Sequence, residues 1–132
     1  MSEKTHENAG ADARDQAAPR PAVRLGDEQV LQLGDPRLRV VAAPCEPRDL
    51  PEDAARLIDA LRRFRAQFGF GRAIAAPQLG IPRRLVALEL GDGPFVIVDP
   101  VITWRSPETF TLWDDCMSFP ELLVRVRRHA AV

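Results

Sequence analysis

The chain has 132 residues, 45% hydrophobic and 28% charged, which suits one ordinary globular domain and no more. A formal net charge of −1 excludes a strong overall field for nucleic acid or an anionic membrane, so no direct nucleic-acid partner is expected. Two cysteines, Cys45 and Cys116, exclude a disulfide scaffold, and no apolar run approaches the roughly 20 residues that span a bilayer.

The start lacks a cationic segment followed by an apolar one, so no secretory leader is read and a cytoplasmic protein is expected. The basic residues are arginine except Lys4, which fits a GC-rich coding sequence better than a binding surface. Residues 1–24 are polar, rich in Ala and Pro, and without apolar period. They read as a disordered tail, with His6 a solvated residue in it. Residues 25–132 read as the folded part.

From Gln29 to Val41 apolar residues are interrupted by the turn signal Gly34-Asp35-Pro36. Pro44, Pro47 and Pro51 mark a loop. A helix follows, with Asp49 and Glu52 spaced as a capping box and Pro51 in the first turn. Ala54, Leu57, Ile58, Leu61, Phe64 and Phe68 recur at three- and four-residue intervals along one face, up to Gly69. Arg56, Arg62, Arg63 and Arg65 read as its solvated side. After Gly80 the period changes to that of strands, over 85–90, 94–104, 109–113 and 122–127. In the last, Leu122, Val124 and Val126 alternate with Leu123, Arg125 and Arg127. One helix followed by short strands implies an α+β domain with mainly antiparallel sheet.

Two segments carry candidate chemistry. In GRAIAAPQLGIP, residues 71–82, small residues at Gly71, Ala73, Ala75 and Ala76 permit close backbone approach, and Gln78 places a carboxamide beside them. A plain helix-to-strand connection with Gln78 exposed explains this spacing equally well. In WDDCMSFPEL, residues 113–122, Cys116 follows two acids. A small buried residue at a strand end is the plainer reading, because a lone thiolate binds metal only where other donors converge.

Taken together the two segments resemble the peptide deformylase family. Gly71-Arg72-Ala73-Ile74-Ala75-Ala76-Pro77-Gln78 is similar to the family's G-x-G-[apolar]-A-A-x-Q, and Asp114-Asp115-Cys116-Met117-Ser118 to its E-G-C-[apolar]-S. The flanks LQLGDPRLRVVA and IVDPVITWRSPET are also similar, so the likeness covers roughly residues 29–128. It implies a bacterial, cytoplasmic hydrolase that removes the N-formyl group from formylmethionyl nascent peptides. An Fe2+, Zn2+ or Ni2+ ion would be held by Cys116 and by two His of an H-E-x-x-H motif, which also supplies a proton-shuttling Glu. Gln78 and the Met117 N–H would polarise the formyl oxygen. Gly71, Arg72, Ala73 and Ile74 would line the peptide as an added strand. The ribosome is the implied neighbour.

The H-E-x-x-H motif is absent: the histidines are His6 and His129, and neither has a partner four residues away. The central helix of the family is therefore expected to be missing, and the single thiolate not to hold a metal stably. The chain alone is expected to be inactive and to be poorly folded, self-associated or completed by another polypeptide. Ala73 stands where the family has a second Gly, a position that positive φ would strain. Arg72 replaces an apolar residue and puts methionine selectivity in question. Asp114 and Asp115 replace Glu and Gly. These changes also admit a non-catalytic peptide-binding module, or a shortened gene product without function.

Overall fold

Helix α1, Leu50–Phe68, is the element on which the interior is built. The computed structural model describes residues 22–132. Of the expected tail, residues 1–21 lie outside the described residues, while Val23 and Arg24 already belong to the first strand. Three small antiparallel sheets accompany the helix: β1 (Val23–Leu25) with β2 (Glu28–Val30); β3 (Ala73–Ala75), β4 (Leu85–Glu89) and β5 (Pro94–Val98), with β4 in the middle; and β6 (Thr109–Asp114) with β7 (Val124–His129). The α+β architecture with antiparallel sheets follows the expectation, and α1 is the one α-helix among the described residues.

The apolar face of α1 buries Leu57, Ala60, Leu61 and Phe64, and Val23, Leu25, Val30, Ile74, Leu85 and Ala87 close over it from the sheets. Phe64 stacks on Phe68 at 4.4 Å and meets Phe70 edge-on at 5.1 Å, arrangements aromatic rings favour. Gly69 ends the helix in the left-handed region at φ 78°, its N–H donating to the Arg65 carbonyl. At the other end the expected capping box does not form. Asp49 is itself helical, at φ −92° and ψ −20°, because the chain enters through a turn in which Asp49 and Leu50 both donate to the Glu46 carbonyl. Its carboxylate faces Arg48 and Arg83 instead.

The arginines expected on a solvated helix face are mostly paired. Arg56 holds Glu28 of β2 in a two-pronged contact, at 2.7 and 3.1 Å. Arg62 and Arg65 reach Glu89 of β4. Half-exposed pairs of this kind contribute little stability each, about 0–1 kcal/mol, but they fix where the helix sits on the strands.

Two strand expectations shift. The strand from Pro94 ends at Val98 rather than Trp104, because Asp99 turns into the left-handed region at φ 47°. Its carboxylate accepts from the Cys45 N–H at 3.0 Å, and Pro100 has no N–H to continue a ladder. The last strand runs 124–129 rather than 122–127. Its expected alternation persists, since Val124 and Val126 share a face with Leu112 and Phe110 of β6. That face is open: Phe110 and Val124 are exposed, and Val98, Val101 and Ile102 stand exposed nearby in sequence. No helix among the described residues is long and apolar enough to cross a membrane.

Leu61 is fully buried at the centre of the helix face, so Leu61→Ala is expected to cost about 2–5 kcal/mol. The midpoint of chemical denaturation, with its slope unchanged, measures it.

Candidate functional site

The two motif segments meet in space. Immediately after β3 the chain makes one turn of 3-10 helix, Ala76–Leu79. That turn folds Gln78 back, so that its Oε1 accepts from the Ala75 N–H at 2.9 Å. With its oxygen so held, the carboxamide can present only its nitrogen outward. Nε2 lies 3.1 Å from Ser118 Oγ and 3.5 Å from Cys116 Sγ. Gly80 closes the turn in the left-handed region at φ 75°.

A third segment holds both loops. The Leu31 N–H donates to the Gln78 carbonyl at 2.8 Å, and the Leu33 N–H to the Ser118 carbonyl at 2.8 Å. Between them, buried Gln32 donates through Nε2 to the Met117 carbonyl at 3.2 Å and to the Val30 carbonyl at 3.1 Å. Three consecutive residues therefore clamp the turn of Gln78 to the loop of Cys116. Sequence reading assigned no role to Gln32 or to Ser118. Ser118 lies inside a quoted motif, whereas nothing in the local pattern around Gln32 reveals a contact 85 residues away.

A cleft of about 160 Å³ opens here, lined by Gly71, Arg72, Ala73, Gln78, Asp114, Asp115, Cys116 and Met117 among others. Every residue expected at the site borders it except Ile74. The Ile74 side chain is buried in the core and its backbone faces Ala87 of β4. The Arg72 carbonyl also bonds toward β4, at Glu89 N–H, so antiparallel alternation turns the N–H and C=O of Ala73 to the open edge of β3. Ala73 is extended, since Asp99 is the one non-glycine with positive φ among the described residues; the strain expected from its replacing Gly does not arise. Met117 is 3% exposed, so its backbone faces the cleft while its side chain joins the core. A cleft of about 370 Å³ lies elsewhere, between β1, the end of α1 and Pro120, but it holds neither Cys116 nor Gln78.

Asp114 ends β6 and pairs with Arg128 of β7. The hydrogen bond from that guanidinium holds the Asp114 carboxyl below the usual carboxylate range. Arg72 faces the same cleft and adds to the lowering. His129 is at the far end of the hairpin, opposite Thr109, where Nδ1 lies 2.7 Å from the Ser106 carbonyl oxygen. It has no part in the cleft. Burial pushes the other thiol, Cys45, up from its ordinary value.

The polypeptide deformylase family model matches residues 27–132, a span that contains both motif loops and the clamp between them. The chain belongs to the polypeptide deformylase family. It is 35% identical over 106 residues to the peptide deformylase of Thermotoga neapolitana, covering 79% of this chain and 62% of the relative. It is 41% identical over 115 residues to a peptide deformylase-like protein of Bradyrhizobium diazoefficiens, covering 86% and 61%. The chain thus spans about three fifths of the length of these curated relatives. Among solved structures, that of the Thermotoga maritima peptide deformylase superposes with a TM-score of 0.69 at 32% identity, over 77% of this chain and 67% of that one.

Deformylases are metal-dependent, so the donor set matters. Among the described residues no group of three His, Cys, Asp or Glu could hold a metal ion. Cys116 is one soft donor where a catalytic site uses about three protein ligands. The described residues do not fit a metal by themselves.

Gly71 stands at φ 112°, and a Cβ there would lie 2.8 Å from Met117 Cε. Gly71→Ala is expected to cost about 1–3 kcal/mol through backbone strain and to displace the Cys116 loop, which faster hydrogen exchange at the Leu33 and Phe119 amides, donors to the Ser118 and Cys116 carbonyls, would report. For Asp114 the folded carboxyl value is depressed, so its stabilisation is present above the unfolded value and lost as pH falls through the folded one. Asp114→Asn is expected to be less stable than the parent near neutrality, with the gap closing below about pH 4. Thermal midpoints across pH measure that gap.

Proposed function

We infer that this chain carries the formyl-binding half of a deformylase cleft, in a protein that hydrolyses the N-formyl group from formylmethionyl nascent peptides. One observation carries the reading. The carboxamide of Gln78 is pinned through its oxygen and offers Nε2 toward Cys116 and Ser118, which is what a donor for a small acyl oxygen requires. The Met117 N–H, which forms no hydrogen bond among the described residues, would be the second donor. Two preorganised donors stabilise the negative charge that grows on the carbonyl oxygen during hydrolysis. Ala73 presents its free N–H and C=O on the edge of β3, where an extended peptide would add as a strand.

Cys116 would be the thiolate donor to a metal of the iron, zinc or nickel type, with the remaining donors brought from outside the described residues. The open face of Phe110, Leu112, Val124 and Val126 is a surface for such an addition, whether from the same protein or a second chain. The reading places the protein in the cytoplasm, near the ribosome that supplies its substrate. A second reading, a peptide binder without hydrolysis, draws on the lack of a three-donor cluster among the described residues.

Titration of the chain with formyl-Met-Ala-Ser and with Met-Ala-Ser, followed by chemical shifts of the Met117 and Ala73 amides, tests the first reading. The formyl peptide is expected to bind about tenfold more tightly, and Gln78→Ala to remove most of that preference. Equal affinity for the two peptides sinks the formyl-binding assignment. Formate release on supplying Fe2+ or Ni2+ together with an H-E-x-x-H segment separates the enzyme from the binder.

A further inference from the structure

The β6–β7 hairpin has two unlike faces. Its register puts Phe110, Leu112 and Asp114 with Val124, Val126 and Arg128 on one face, where Arg128 is neutralised by Asp114. Strand alternation turns Trp113 and Thr111 to the other face, with Arg125 opposite Trp113 and Arg127 opposite Thr111. Arg125 and Arg127 enter none of the ion pairs formed among the described residues. Asp115, the next acid along the chain, borders the Cys116 cleft instead. Trp113 is 65% exposed, and a shallow cleft of about 380 Å³ runs between it, Thr111 and Arg125.

We propose that this face binds single-stranded RNA. Arg125 and Arg127 project from the same side of β7 roughly 6.7 Å apart, two residues of strand rise, a spacing that lets each meet a successive phosphate of an extended strand. The indole of Trp113 offers a flat, exposed ring on which one base stacks. The hydroxyl of Thr111, on the same face, can bond a ribose 2′-OH, the group that distinguishes RNA from DNA. An acidic peptide would satisfy the two guanidiniums and leave the indole without a partner. A protein partner seeking apolar contact would take the opposite face. The overall charge of −1 is no obstacle, because a phosphate within a Debye length of about 8–10 Å responds to the nearest charges. The proposal does not depend on the chemistry at Cys116.

Fluorescence anisotropy of a labelled 12-nucleotide oligo(U), titrated with the full chain at low salt, tests it. Saturable binding is expected, weakening with salt at a log–log slope near −1.4, the value for about two phosphates on a single strand. Trp113→Ala and the double variant Arg125→Gln/Arg127→Gln are each expected to raise Kd about tenfold. Trp113→Phe, which keeps a ring, and Arg62→Gln/Arg63→Gln on α1, a matched loss of two charges, are expected to leave Kd within about twofold. No binding at low salt, or an unchanged Kd in either the Trp113→Ala or the double variant, overturns the proposal. Equal affinity for oligo(dT) or for heparin overturns the assignment to RNA. Far-UV circular dichroism matching the parent confirms that each variant retains its fold.

Discussion

The site depends on a short clamp, Leu31–Leu33. Its two main-chain N–H groups and one side-chain amide reach the carbonyls of Gln78, Met117 and Ser118. Those carbonyls belong to turns and loops, which have no ladder of their own to order them, and a buried carbonyl left unpaired would cost more than a normal hydrogen bond returns. The clamp satisfies them and in doing so sets the distance between the carboxamide and the thiol. Burial of Val30 and Leu31 against the core keeps the clamp in place, so packing energy is converted into positional accuracy at the cleft.

The charged residues around the cleft divide by what they touch. Asp114 and Arg128 neutralise one another and tie β6 to β7 beside Cys116. Arg72 lies on the cleft without an ion-pair partner among the described residues, and Asp115 stands exposed next to the thiol. A cleft that recognises only an apolar first side chain has no need of either charge. The two together fit a divergent member of its family, with Gln78 and Cys116 kept in their motifs and the cleft lining charged.

Much of the fold was legible because its signals are local. The helix over Leu50–Phe68 follows from apolar recurrence and from Gly69 at its end, and β4 and β6 begin where alternation begins. The strands β1 and β2 were not, since three residues each give too short an alternation to separate from a loop. The capping box at Asp49 and Glu52 has the right spacing, yet the preceding turn at Glu46 supplied the helix entrance first. The extent of β5 was overread because a left-handed Asp99 leaves no trace in an apolar pattern.

Sequence alone determined the residue types that could do chemistry, Gln78 and Cys116, and the motifs that mark them, because those depend on composition over a few consecutive positions. Only the tertiary structure decided that they face each other, that Gln78 presents its nitrogen, that Ala73 rather than Ile74 offers the open edge, and that Ser118 and Gln32 complete the arrangement. The reason is physical: contacts between residues 38 to 85 positions apart are set by how buried surfaces pack and how backbone groups are satisfied. Neither is encoded in any one segment.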